Sequence, residues 1–247
     1  MTVPRAEAVV LAARHLNEPA PARSLVTACR TALDRSCSVG LALAVNAAQA
    51  QRVTLAAAGP LAAPGEALQL DLGEGPCIQA LDQHPPPVLV ADLHHTDTAR
   101  RWPVYAERAL ACGIQAVFAF PVLHGPPGTG RAGLILTVYR NRPGPLSDAQ
   151  RDTAHTHAHA ADLLLLTALA SAEDDTTDAW FLPSDAVIHQ AIGKISYRHS
   201  VTIDQALALL RAHAHTHDIS LTDLARAIVH DGLTLPDLPR PPAPGHH

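Results

Sequence analysis

Four cations near the carboxy terminus have the types and spacing to hold phosphates. Lys194 and Arg198 are four residues apart, which on a helix puts both on one face. His199 follows directly, and Arg211 and Arg226 come later in the same region. A guanidinium offers a flat fork of donors and an ammonium a mobile point charge, so the set could grip the backbone of a polyanion. Charge that merely keeps a surface solvated is the plainer meaning of the same residues. Between residues 184 and 231 these four cations meet five aspartates, and the region sums to −1 with histidine neutral. Nucleic-acid binders are ordinarily basic, and the whole chain stands at −5. Six histidines, His189, His199, His213, His215, His217 and His230, lie in the region. Below about pH 6 they would add charge, so affinity for a polyanion is expected to rise as pH falls.

Other groupings point to less chemistry. Gly73-Glu74-Gly75-Pro76-Cys77 has the glycines of a phosphate loop but not the GxxxxGK[ST] order. Cys77 beside a helix start could be a reactive thiolate; a turn followed by a buried thiol is the expected reading. His155, His157 and His159 alternate, as do His213, His215 and His217. Only the outer pair of each trio shares a helix face, which is too few ligands for a metal, so solvated polar faces are expected. No GxSxG nucleophile elbow is present. The chain is therefore read as a non-enzyme, with no catalytic residues, metal or cofactor.

The elements that would carry the cations are three short helices. Ile188, Ala191, Ile192 and Ile195 recur at three- and four-residue steps; so do Ile203, Ala206, Leu207, Leu210 and Ala214, and then Leu221, Leu224, Ala225 and Ile228. Each set makes one apolar face. Thr202-Ile203-Asp204-Gln205 has the form of a capping box, and Ser220 to Asp223 is a weaker version. Residues 3–16 read as a helix with Ala6, Val9, Val10 and Ala13 on one side, ended by Pro19 and Pro21. Residues 24–35 read as a second helix, capped by Ser24. Strands are expected at 38–45, 53–58, 88–91, 115–123 and 131–139. Helices are expected at 78–82 and 101–111, and a long one opens at the Ser147 to Gln150 box. This order gives an α+β domain around one antiparallel sheet, followed by an all-α module.

The 47% hydrophobic content of the 247 residues can build a core, although aromatics make up only 3%. No leader and no membrane-length apolar run is evident. With no CxxC pair among four cysteines, a cytoplasmic protein with free thiols is expected.

Two resemblances add to this reading. Ala191-Ile192-Gly193-Lys194-Ile195, then Ala206, Leu210, Leu221 and Ala225, resemble the ANTAR domain, a three-helix RNA-binding output module of bacterial antitermination regulators. Gly73 to Cys77, Pro87-Val88-Leu89-Val90 with Asp92 and Leu93, residues 102–111, Ala119-Phe120-Pro121, and Gly133-Leu134 through Tyr139 resemble a GAF domain, a sensor or dimerisation module with a pocket beside its sheet. The resemblance divides the chain into an N-terminal helix and linker (1–23), a GAF domain (24–171), a link (172–183) with Trp180 and Phe181 docking, an ANTAR domain (184–235) and a disordered tail (236–247). It implies that Lys194, Arg198, His199, Arg211 and Arg226 meet mRNA leader hairpins. It offers Gly75, Pro76 and Cys77 as pocket lining, for a small apolar ligand if any. Two copies are expected to pair through Ala154, Ala158, Ala161, Leu165 and Leu169 of the long helix and the alanine face of the first. A module whose ANTAR part contacts protein instead of RNA is the alternative.

Overall fold

The computed structural model describes residues 5–46, 51–82, 87–124, 132–170 and 183–235. The expected link at 172–183, with Trp180 and Phe181, lies outside them except for Pro183, and so does the tail from 236. The chain forms two compact units that meet in sequence at Leu182 and Pro183.

The first unit is built on strands β1 (Ser38–Asn46), β2 (Gln51–Ala58), β3 (Val88–Val90), β4 (Ala116–His124) and β5 (Ala132–Arg140). They form one antiparallel sheet in the order β2-β1-β5-β4-β3. Strand alternation sorts the residues by face. Val39 and Leu41 stand opposite Val138 and Leu136, which in turn stand opposite Phe118 and Phe120. This face is apolar, and α2 (Pro21–Leu33) and α7 (Asp148–Ala170) cover it with Leu25, Val26, Cys29, Ala154, Ala158 and Ala161. Each large side chain buried here contributes about 1.5–3 kcal/mol. The opposite face carries α3 (Ala62–Leu72), α4 (Pro76–Asp82) and α6 (Pro103–Ala111), and α5 (Thr96–Arg101) packs against α6.

Several helices depart from expectation. The helix α1 (Arg5–His15) packs along α7 with Ala8 and Ala12 buried, whereas Ala6, Val9, Val10 and Ala13 are exposed. Pro21 does not stop a helix; it opens α2, where a missing N–H costs nothing. Ser24 is no cap, and its hydroxyl meets His15 Nδ1 at 2.9 Å. The helix α3 has no side-chain cap and contains Pro64 and Gly65, which hides it from a periodicity search. The expected helix 101–111 is present from Pro103, and a short helix that was not expected, Thr96–Arg101, precedes it across a break at Trp102. The expected pairing face on α7 is spent inside the chain: Ala154, Ala158, Ala161 and Leu165 are buried against the sheet, α1 and α2.

That burial also reaches the histidines of α7. His157 is buried and donates from Nδ1 to the Thr153 carbonyl at 2.8 Å, and half-buried His155 sets its ring edge-on to Phe120 at 4.9 Å. They are packing residues, not a solvated face. Burial pushes both imidazoles below the ordinary 6.5. The unfolded chain therefore takes up these protons first, and stability present above pH 6.5 is lost as pH falls below it. The melting temperature should drop between pH 7.5 and 5.5, a window that leaves the carboxylates largely alone, and His157→Gln should flatten that drop. An unchanged melting temperature across the window, followed by circular dichroism, would contradict this.

The second unit comprises α8 (Pro183–His199), α9 (Ile203–Thr216) and α10 (Leu221–His230). Ile188, Ala191, Ile192, Ile195, Ala206, Leu207, Leu210, Ala214, Leu221, Leu224, Ala225 and Ile228 are all buried. Ile203 is the exception: it sits in the first turn of α9 and is exposed. Both expected starts are present. Thr202 and Gln205 form the reciprocal capping box, and Ser220 accepts from the Asp223 amide at 3.0 Å. Among the described residues no helix is long and apolar enough to cross a membrane.

Candidate nucleic-acid interface

Helix α8 packs against α10, and its last turn lies beside the end of α10. The contact leaves a groove of about 350 Å³ between the last turn of α8 and residues 232–235. Lys194, Arg198 and His199 line it, and its floor and wall include Ile195, Ile228, Leu233 and Leu235. No carboxylate is among the lining residues, so the groove is locally cationic although the region sums to −1. Lys194 Nζ donates to the Val229 carbonyl at 2.8 Å. The ammonium thus sits at the negative end of α10, where a cation is favoured, and ties α10 to α8.

The remaining candidates lie elsewhere. Arg226 is exposed on α10 and pairs with Asp223 at 3.1 Å. Both partners are more than half exposed, so the pair is worth little and a phosphate could compete for it. Arg211 is half-buried on α9. Neither lines the groove. Tyr197, which sequence reasoning passed over, does line it and is 91% exposed. Its signal was present in the spacing, because residue 197 shares a helix face with Lys194. His213 stacks on His217 with ring centroids 4.1 Å apart. Its partial burial and this neighbour hold it below the ordinary value, so it gains charge later in acid than an unperturbed imidazole would. Among the described residues no three histidine, cysteine or acidic side chains gather as a metal site.

In the first unit, the place expected to hold a pocket holds a buried polar cluster. Arg52 on β2 pairs through one nitrogen with the Glu66 carboxylate and through another with the Glu66 carbonyl. The Tyr139 hydroxyl donates to Glu66 at 2.8 Å and accepts from Gln69 at 2.9 Å. Gln69 accepts from the Cys77 amide at 2.7 Å, and Cys77 Sγ lies 2.8 Å from the Thr137 hydroxyl. The strands therefore carry more polar grip than the expected apolar lining. Burial, with Glu66 adding to it, pushes the Cys77 thiol up to about 12. It is a protonated packing residue, not a thiolate. The remaining charged residue of that turn, Glu74, accepts from the Tyr105 amide at 2.6 Å near the start of α6. An open groove of about 300 Å³ runs between β3 and α5, lined by Asp92, His95, Thr98 and Trp102 among others; Gly75, Pro76 and Cys77 are not in its lining.

Comparison with known proteins places part of this architecture. Residues 182–229 match the ANTAR domain family. No curated protein matches the chain. Among solved structures, a domain of a two-component sensor histidine kinase protein from Sinorhizobium meliloti is 22% identical, covering 60% of this chain and 90% of its own, with a TM-score of 0.45. The GAF domain of a phosphoenolpyruvate-protein phosphotransferase from Coxiella burnetii is 14% identical, covering 68% and 99%, with a TM-score of 0.43. An RNA-binding light-oxygen-voltage receptor is 21% identical over 77% of this chain, which spans 46% of that one, with a TM-score of 0.19. The carboxy-terminal unit thus carries the ANTAR match, and it follows an α+β unit built on one five-stranded antiparallel sheet.

Proposed function

We propose that this chain is a cytoplasmic RNA-binding regulator that acts by transcription antitermination. The carrying observation is the ANTAR match at residues 182–229, which brings Lys194, Arg198 and His199 into one groove without a lining carboxylate. ANTAR domains bind RNA. Holding a leader as paired short hairpins would keep a terminator hairpin from forming, so that transcription continues. Arg211 and Arg226 would add contacts outside the groove. The GAF-like unit would sense a ligand or hold two copies together. With the α7 face spent internally, Val9 and Val10 on α1 and Leu166 on α7 are, among the described residues of these two helices, large apolar side chains left exposed for pairing.

Fluorescence anisotropy with a paired-hairpin RNA tests the reading. Affinity should fall between about 50 and 200 mM salt, and Arg198→Ala should reduce the log–log salt slope by roughly 0.7. Lys194→Gln should do the same. Two chains should bind per two-hairpin RNA. The net charge of −1 favours one other reading, a module that contacts protein; no RNA binding at low salt would leave that one standing.

A further inference from the structure

We infer that Tyr197 is the stacking platform for one unpaired RNA base, seated in the groove with its flanking phosphates on Lys194 and Arg198. This rests on the RNA-binding reading and adds to it the kind of nucleotide recognised. Tyr197 has no part in the core: at 91% exposed it is far more open than any other large apolar side chain of this unit. A tyrosine ring held in water at a helical position contributes nothing to packing and has poorer helix propensity than lysine or glutamate. Its position, however, is shared with the two cations. All three side chains line a groove of about 350 Å³, the scale of a small-ligand site.

The chemistry of the lining matches a nucleotide from a single strand. A base has flat apolar faces, and the groove offers Ile195, Ile228, Leu233 and the tyrosine ring. A phosphate is anionic, and the groove offers Lys194 and Arg198, with His199 beside them and no carboxylate. In a duplex the base faces are already stacked and hidden. Only a loop, bulge or free end can present one to an aromatic ring. The partner is therefore an RNA loop.

The test uses the full chain and a paired-hairpin RNA carrying 2-aminopurine at successive loop positions. Stacking on the ring should quench that fluorophore at one position. Tyr197→Ala and Tyr197→Leu should abolish the quench and weaken binding roughly five- to a hundredfold, and Tyr197→Phe should keep both. The salt slope of the alanine variant should match wild type, because a lost stack releases no counterion, whereas Arg198→Ala changes the slope. The exposed position makes misfolding a poor explanation for any loss. If wild type binds RNA and Tyr197→Ala binds equally well, the stacking inference fails while the RNA-binding reading stands. Retained quenching in Tyr197→Ala, or an altered salt slope, likewise overturns it. If wild type binds no RNA at low salt, the reading and the inference fall together, and a groove that captures an aromatic acidic peptide instead would be a protein-docking site.

Discussion

Glu66→Ala should unfold the α+β unit in denaturant concentrations that leave the wild type intact. The substitution strands the Arg52 guanidinium, which is only 2% exposed and holds both the carboxylate and the carbonyl of Glu66. Removing one partner of such a pair costs about 3–5 kcal/mol, because the other charge stays buried without its counterion. Tyr139 also loses the acceptor for its hydroxyl. The pair itself need not stabilise the fold. Arg52→Met with Glu66→Leu, similar in bulk and uncharged, should recover most of the loss. Urea titration of the two single variants and the double variant separates these effects. A loss below about 1 kcal/mol in Glu66→Ala would mean that the pair behaves like one on the surface.

Leu224→Ala should melt the ANTAR unit and leave the other folded. Leu224 is fully buried on α10, which packs against both α8 and α9. A Leu-to-Ala change at such a site costs about 3–5 kcal/mol. A unit of this size holds only on the order of 3–8 kcal/mol in total. Hydrogen exchange should then show amides of α8, α9 and α10 unprotected while those of β1, β4 and β5 stay slow. The RNA binding proposed above should be lost together with the protection. Equal protection of the three helices in variant and wild type would refute the expectation.

The features legible in the sequence are those written locally. The capping boxes at Ser147 and Thr202 mark helix starts that the structure keeps, with both reciprocal hydrogen bonds formed. The five strands are legible because alternation and turn residues sit within a few positions of each other. The cationic pair Lys194 and Arg198 is legible for the same reason, and so is the face it shares with Tyr197. What stayed hidden depends on distance along the chain. Arg52 and Thr54 alternate with Val53 and Leu55, which reads as a strand with one wet face. That face is dry only because α3 lies on it, and α3 carries neither a cap nor a clean period. Glu66 and Tyr139 are 73 positions apart, and nothing local announces their contact. The apolar face of α7 was plain, but whether a second copy or the same chain covers it is a tertiary fact. Arg211 and Arg226 were chosen by charge alone, and their separation from the groove needed coordinates.

The glycines around the buried cluster tie its members into one heritable unit. A β-carbon on Gly40 would come within 2.3 Å of the Glu66 carboxylate, and one on Gly65 within 2.5 Å of the Tyr139 ring. Neither glycine can accept a side chain while Glu66 and Tyr139 remain. Conversely, shortening Glu66 or Tyr139 opens space that a methyl at residue 40 or 65 would fill. Substitutions at these four positions are therefore expected to be coupled: Gly40→Ala should cost less once Glu66 is shortened, and Gly65→Ala less once Tyr139 is, although Arg52 must then lose its charge as well. A library that varies these four sites together with Arg52 should recover folded combinations whose single members are each destabilised.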